Sequence, residues 1–408
     1  MTFSFLHCAD IHLGRPFSNI SGNTNICKKA VEQAFNNLID LAIVKNVDFV
    51  FIAGDTFDSE EQDFESKIIL KEGLKKLDNS NIKVYLICGN HDPLSSYNKT
   101  TFNFDENSNI EIIGLNSDLY SDFILENKNN EKVAVLHALS FKENYLKENP
   151  TKYFTPAQDL FNIGLLHCDL DGSKDSPYAP CTKSDLENLK YNYWALGHIH
   201  IPNDYYSGTI QGRNTKETGE HGVKYVKVEN GVITKNTFVA LDVIRFEDLN
   251  IDLSNAQEIT SALTIIQENI EELKIENCEL AYLRLNLTGL IDFYNEINEE
   301  FFTVLKDKLH TNFNNKINIS QINNNTFSKI DNEALNADDG IAGALYKVIN
   351  NNENTDKTFN NIEKELKHLL KDCYFNDEEY EMFKTEIKIK TKEKCKNLCS
   401  LVYESHKD

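Results

Sequence analysis

The chain has no apolar run approaching the roughly 18 to 20 residues that a membrane span requires. Its N-terminus likewise lacks a basic stretch followed by an apolar signal core. These absences predict a soluble, cytoplasmic protein with no membrane partner. A cysteine framework is not expected either. The nine cysteines are odd in number and dispersed, and Cys8, Cys88 and Cys168 sit inside apolar segments, which suits reduced thiols better than a disulfide framework. Cys395 and Cys399 lie four apart on an expected helix, but without a second pair they read as packing residues rather than a zinc site. Basic residues are also scarce: 42 Lys and Arg against 64 Asp and Glu leave a net charge of -22. That balance argues against the basic face expected of a phosphate-binding surface. It holds in both parts of the chain, with 33 acids against 24 bases in 1–245 (net -9) and 31 against 18 in 246–408 (net -13). The one Lys-rich stretch, from Lys384 to Lys396, holds six lysines in thirteen residues and reads as a solvated helical face, with a nucleic-acid or partner contact as the alternative.

What is present is a chain of 408 residues, 40% hydrophobic, long enough for one full core and at least one smaller domain. Apolar residues recur at helical spacing from Lys28 to Val44 and from Phe64 to Leu77, between short apolar segments, so the first hundred residues read β-α-β-α-β. Shorter strands and polar loops alternate from Ile112 to Asn192. The segments YYSGTI, GVKYVKVENGVIT and TFVALDVIRF then read as Gly-punctuated strands of a second sheet packed on the first. The pattern changes near residue 245 to helix (Ala256 to Lys274), strand (Leu280 to Leu287), helix (Asp292 to Leu309) and strand (Lys316 to Ile322). Asn-rich 321–325 and 350–354 read as loops, and 356–408 as one or two amphipathic helices. The expectation is an α/β protein with a main domain over 1–245, a small α/β accessory domain over 246–335 and a helical C-terminal region over 336–408.

Seven polar residues carry the chemistry: Asp10, His12, Asp55, Asn90, His167, His198 and His200. Nearly all follow an apolar stretch (FSFLHCAD, VDFVFIAGD, IKVYLICGN, FNIGLLH and YWALGHIH), so each reads as a polar side chain released at the C-terminal end of a buried strand. Side chains at such ends converge on one crevice in an α/β sheet. Histidine nitrogen mixed with carboxylate and amide oxygen, without thiolate, fits Mn, Fe or Zn in a catalytic role better than a closed structural zinc site. The pattern predicts a two-metal phosphoesterase. Asp10, His12 and His200 are assigned to one ion, Asn90, His167 and His198 to the other, and Asp55, exposed by the Gly54 turn, to the bridge. Two such cations would more than neutralise Asp10 and Asp55, so net charge weakens a DNA substrate without excluding it.

His91, beside Asn90 in GNHD, is free to touch substrate and is the candidate general acid, protonating the leaving oxygen while an activated water attacks phosphorus in line. Asp58, three residues after Asp55, is the candidate to orient His91, and Asp92 reads as a cap on the following turn. Arg213, in QGRNTKETGEHG, is a candidate for contacting a substrate phosphate, a structural ion pair being the equal alternative. His7 and His137 lie in apolar strands and read as structural. His221, His310, His368 and His406 read as surface residues.

Singly these signals are weak; in order and in context they are not. The series ADIHLG, GDTFD, GNHD, LLHCD and WALGHIH resembles the calcineurin-like metallophosphoesterase superfamily, and within it the SbcD and YhaO type of DNA-repair exonuclease, over at least 1–245. PYAPCTKSDL, QGRNTKETG and LRLNLTG bring it nearer the YhaO type. The resemblance implies a two-sheet αββα sandwich, two Mn(II) ions, and a 3′ to 5′ exonuclease with endonuclease activity. It also implies DNA as substrate and an SMC-like ATPase partner gripping the helices after 356; a homodimer is compatible with it. Protein Ser/Thr phosphatases of the superfamily continue GDxxD with Arg-Gly and have Glu after GNH, where this chain has Ser59, Glu60 and Asp92, so the phosphatase reading loses ground. Two alternatives stand beside the nuclease: a small-molecule or oligonucleotide phosphodiesterase, and a non-catalytic adaptor of an ATPase. The intact ligand set argues against the adaptor.

Overall fold

The computed structural model describes residues 1–351, apart from 15–16, 18–23, 60–61, 98–100, 103, 106–107, 116, 274, 276–277 and 330–331, and scattered positions between 384 and 399. Among the described residues no helix is long and apolar enough to cross a membrane. The chain forms two compact units: Met1–Asp248 with Lys274–Arg284 and His310–Ser320, and Leu249–Leu273 with Leu285–Leu309 and Gln321–Asp408.

In the first unit the chain runs β1 (Thr2–Cys8), α1 (Thr24–Lys45), β2 (Phe49–Ala53), α2 (Phe64–Asn79), β3 (Lys83–Ile87) and β4 (Ile110–Ile112). It continues with β5 (Tyr120–Glu126), β6 (Lys132–Leu139), β7 (Phe161–His167), α3 (Lys183–Asn188), β8 (Tyr193–Gly197), β9 (Gly222–Glu229) and β10 (Val232–Ala240). One sheet has the order β10-β9-β1-β2-β3-β4 and the other β5-β6-β7-β8. Strands β1 to β4 pair in parallel, as do β6, β7 and β8. Strands such as β2 and β7 are buried at every position, which is why they read as continuous apolar runs rather than alternating ones.

The sandwich core is aromatic. Phe3, Phe5, Phe49 and Phe51 of the first sheet pack with Leu136, Ile163, Leu165 and Tyr193 of the second, and Phe3 meets Phe161 edge-on at 5.5 Å. Each such ring removed from water contributes about 1.5–3 kcal/mol. On the outer face of the first sheet, Phe35 and Leu38 of α1 and Leu70, Leu74 and Leu77 of α2 cover Leu6, Ile52, Val84 and Leu86. On the outer face of the second, Leu186 of α3 packs with Phe154, Leu166 and Trp194. This is the αββα layering expected from the sequence.

The strands after His200 differ from expectation. YYSGTI forms no strand; only an isolated bridge joins Tyr206 to Leu196. The hairpin β9–β10 turns at Asn230 (φ 52°) and Gly231 (φ 77°), the left-handed pair that a tight hairpin demands, and then extends the first sheet by antiparallel pairing of β9 with β1. The second sheet is built from β5 to β8 instead. Alternating hydrophobicity marks a strand but not the edge it will pair with, and β1 had one edge free.

A third sheet, ordered β11 (Ile244–Asp252), β12 (Leu280–Ile291) and β13 (Ile317–Ser328), has the first parts of its strands in the first unit and the rest in the second. The second unit adds α4 (Ile259–Glu271) and α5 (Glu299–Asn312). Residues Ala262, Ile266 and Ile270 of α4, and Phe301, Leu305 and Leu309 of α5, are buried at four-residue spacing. Segment 321–325 is strand, not loop. Its asparagines enter a ladder across the sheet, with Asn323 Nδ2 donating to Asn286 Oδ1 at 2.7 Å and Asn286 Nδ2 to Asn250 Oδ1 at 3.1 Å, and this pairing overrides the weak strand propensity of Asn. Helices α6 (Asn332–Ala337) and α7 (Ile341–Asn350) follow, and Cys399 packs with Leu335, Ala342 and Tyr346, as a packing cysteine should. The expected loop at 350–354 and the helices of 356–408 fall almost wholly outside the described residues.

Candidate metal centre

Six of the seven residues come from turns that follow parallel strands, Asp10 and His12 after β1, Asp55 after β2, Asn90 after β3, and His198 and His200 after β8, and His167 is the last residue of β7. The first two turns run side by side, with Asp10 N–H donating to Gly54 O (3.1 Å) and His12 N–H to Asp55 O (3.0 Å). Their backbone is strained. Asp10 (φ 50°), His12 (φ 52°), Asp55 (φ 50°) and His198 (φ 112°) all occupy the left-handed region that side chains rarely adopt. Such strain is kept where neighbouring structure over-determines it, typically at a working site. Glycine is required at Gly54, itself at φ 85°, where a Cβ would lie 2.7 Å from His167 Nδ1.

Donor atoms of Asp10, His12 and His200 lie within 4.8 Å of one another, and so do those of Asp10, Asp55 and His167. Asp55 Oδ2 stands 4.0 Å from His12 Nε2 and 3.4 Å from His167 Nε2, between the two groups. Asn90 Oδ1 is 2.9 Å from His167 Nε2 and 3.2 Å from His198 Nδ1. The structure thus brings all seven together, with Asp10 near His12 and His200 and also near Asp55 and His167, and accepting the His198 N–H at 3.1 Å.

Burial makes this cluster costly without cations. It pushes Asp10 well above the usual carboxylate range and Asp55 up to about 6, and each carboxyl is opposed further by acidic neighbours. The same burial lowers His167 and His198 to about 3, leaving them as neutral nitrogen donors. Two adjacent buried carboxyls and neutral imidazoles, with no thiolate, fit divalent cations well.

His91 lies beside the cluster, its ring 5.0 Å from that of His12. Its N–H donates to Asp55 Oδ1 (2.8 Å), and its Nδ1 is 2.8 Å from Asp58 O. The partner is therefore the Asp58 backbone carbonyl; the Asp58 carboxylate faces His12 Nδ1 instead, at 3.3 Å. Arg213 is 3% exposed and pairs with Glu217 (Nη2 to Oε1, 3.2 Å), so of its two expected roles the ion pair is the one its contacts fill.

Two contributors had escaped the sequence reading. Asp92 does not cap the turn after it. Fully buried, it accepts the N–H groups of Asp55 (3.1 Å), Thr56 (2.8 Å), Phe57 (3.2 Å) and Gly89 (2.9 Å) and the Tyr97 hydroxyl (2.8 Å), tying the Asp55 turn to the Asn90 turn. An acid three residues beyond the buried Gly89 was its only signal. Glu217 meets His200 Nδ1 at 3.0 Å, and nothing in the polar run KETGE marks it. His221, expected at the surface, is buried, bonded to Thr209 Oγ1 (2.9 Å) and Glu217 O (3.2 Å). A short polar segment hides such burial when the partners come from distant loops. His7 and His137 are structural as expected, the first between Tyr193 Oη (2.9 Å) and Leu196 O (3.0 Å), the second between Asp122 (2.7 Å) and Asn162 (3.0 Å). His310 is exposed, and His368 and His406 lie outside the described residues.

Residues 3–202 match the calcineurin-like phosphoesterase family. The chain is 31% identical over 328 residues to the uncharacterized metallophosphoesterase YhaO of Bacillus subtilis, covering 75% of this chain and 78% of that one. It belongs to the calcineurin-like phosphoesterases. This phosphoesterase is also similar to two DNA double-strand break repair proteins named Mre11. That of Sulfolobus acidocaldarius is 26% identical over 74% of this chain and 79% of its own, and that of Methanocaldococcus jannaschii 24% over 76% and 81%. Family and donor cluster together make it a metal-dependent hydrolase of phosphoesters.

Proposed function

We propose that this phosphoesterase is a Mn(II)-dependent DNA exonuclease and endonuclease, degrading strands 3′ to 5′ in DNA repair beside an SMC-like ATPase. The observation that carries the reading is the meeting of seven nitrogen and oxygen donors at strand ends with His91 against them. The choice of DNA is supported by the likeness to the Mre11 proteins, which are named for double-strand break repair. Asp10, His12 and His200 would hold one cation and Asn90, His167 and His198 the other, with Asp55 between. Bound there, the cations would supply Lewis acidity toward the phosphodiester and a water nucleophilic at neutral pH.

The remaining chemistry falls to the chain. His91, its Nδ1 anchored on the Asp58 carbonyl, presents Nε2 as the general acid for the leaving oxygen. Its backbone tie to Asp55 Oδ1 keeps acid and bridging carboxylate in fixed relation, the positioning that such a step depends on. In this reading 1–245 is the nuclease domain, 246–335 a DNA-contacting accessory domain and 336–408 the region that docks the ATPase.

The deciding experiment is Mn(II)-dependent digestion of end-labelled DNA by wild type and Asp55→Ala. Wild type should release nucleotides from the 3′ end, and the variant should be slower by about a thousandfold or more, since the bridging carboxylate serves both ions. Equal cleavage by the two proteins would sink the mechanism. The net charge of -22 favours a second reading, a small-molecule or oligonucleotide phosphodiesterase. Cleavage of bis(p-nitrophenyl) phosphate without release of nucleotides from single- or double-stranded DNA would select it.

A further inference from the structure

The segment QGRNTKETG stood out in the sequence, yet none of the proposed chemistry uses it. Its geometry gives it a part. Glu217 Oε1 lies 3.0 Å from His200 Nδ1, and the Asp58 carboxylate 3.3 Å from His12 Nδ1. The Glu217 carboxylate is hydrogen-bonded to His200 Nδ1, whereas Asp58 stands beside His12 Nδ1 at ion-pair distance and His12 Nε2 faces Asp55. A single buried guanidinium lies by both acids and is hydrogen-bonded to one: Arg213 Nη2 donates to Glu217 Oε1 at 3.2 Å, and Arg213 Nη1 stands 3.8 Å from Asp58 Oδ1. The segment is built to hold this shape, with Arg213 N–H donating to Glu217 Oε2 (2.7 Å), Glu217 N–H to Asn214 O (3.1 Å) and Lys216 N–H to Asn214 Oδ1 (2.9 Å).

We infer that Arg213 and Glu217 form a clamp of positioning residues that fixes His200 with Nδ1 protonated and Nε2 free to bind a metal, tuning one ion of the pair and not the other. One contact competes. Arg213 Nη2 also comes within 3.3 Å of His200 Nδ1, and a guanidinium can only donate, so that contact asks for an unprotonated Nδ1. The carboxylate prevails because it is nearer and ionised, and because the same Nη2 already donates to it. A carboxylate behind a ligating imidazole fixes the tautomer and raises ligand basicity. Arg213 holds Glu217 in place, and its own burial makes it a support rather than a contact for solvent-borne phosphate.

The inference rests on the proposed two-metal centre, and the test separates the two. Mn(II) binding to chelator-stripped full-length protein is followed by calorimetry for wild type, Glu217→Leu and Glu217→Gln. Tautomers in the metal-free state are read from long-range ¹H–¹⁵N spectra of histidine-labelled protein. Wild type should bind two ions and show His200 with Nδ1 protonated. Glu217→Leu should weaken one site by about 10- to 100-fold, leave the other unchanged and give mixed tautomers at His200. Glu217→Gln, which keeps an oxygen acceptor, should weaken the same site by less than about 10-fold and serves alone should the Leu variant not fold. A wild type that binds no Mn(II) overturns both the metal centre and the clamp. Two bound ions with unaltered affinity in the variants, an equal loss at both sites, or an unprotonated His200 Nδ1 in wild type overturns the clamp alone.

Discussion

His167 ends a strand of the second sheet and His200 follows one, and both reach the donor cluster, yet they are held by different means. His167 is fully buried, and its Nδ1 sits 2.9 Å from the backbone oxygen of Ala53, part of the sandwich itself. His200 has a side chain 30% exposed, and its Nδ1 is held by Glu217, a carboxylate on a loop. His7, away from the cluster, belongs with His167: buried, and bonded to the Leu196 carbonyl. A neutral carbonyl inside a sheet gives rigidity that only unfolding can remove. A charged side chain on a loop gives a support that substitution can adjust without disturbing the core. His167 is thus fastened to the sandwich itself, and His200 to a carboxylate on a loop.

The largest effect on the centre should come from cutting the link between its Asp55 and Asn90 turns. Asp92→Ala removes the acceptor of four buried N–H groups and should cost about 4–5 kcal/mol, or prevent the protein from accumulating, as measured by urea denaturation. A loss below about 1 kcal/mol would show that the two turns hold themselves together.

The class of imidazole buried on backbone carbonyls can be tested at His7. Burial, aided by the charge of Lys224, lowers it to about 3 from an ordinary 6.5. Between those values the unfolded chain binds a proton that the folded one refuses, so His7 subtracts stability as pH falls through that window, by up to about 1.4 kcal/mol per pH unit. Between pH 6.5 and 4, His7→Gln should therefore lose stability less steeply than wild type, the difference reaching roughly 3 kcal/mol. Parallel pH profiles would remove His7 from the account.

A smaller contrast sharpens the comparison directly. In metal-free protein, His167→Ala should cost about 2–4 kcal/mol through the cavity it leaves, whereas His200→Ala should cost less than about 1 kcal/mol. Equal losses would mean that the two imidazoles are equally part of the core. At the small end, the half-exposed pair of Arg284 with Asp248 (2.8 Å) lies far along the chain from the centre, and Arg284→Ala should change stability by no more than about 0.5 kcal/mol.

Most of the centre could be read from the chain because its logic is local. Each donor follows an apolar stretch that can only be a buried strand, and parallel strands deliver their C-terminal ends to one place. Asp10, Asp55, Asn90 and His167 needed no knowledge of their neighbours for that. Asp92 and Glu217 did, since their partners are backbone amides and imidazoles brought from elsewhere, and a carboxylate in a turn looks the same whether it meets water or four N–H groups. For the same reason His221 passed for a surface residue, and Asn323 for a loop residue until Asn286 faced it across a sheet.

What the sequence determined by itself was the α/β class, the strand-end donors and the absence of a membrane-spanning helix among the described residues, because period, apolar run and ligand chemistry are written along the chain, whereas the αββα layering was implied by the family resemblance. Which edge β9 joins, which oxygen of Asp58 meets His91, and which acids stand behind His12 and His200 were decided only by tertiary structure. Pairing and hydrogen bonding depend on distance in space, and residues nearly 200 positions apart carry no local sign of being neighbours.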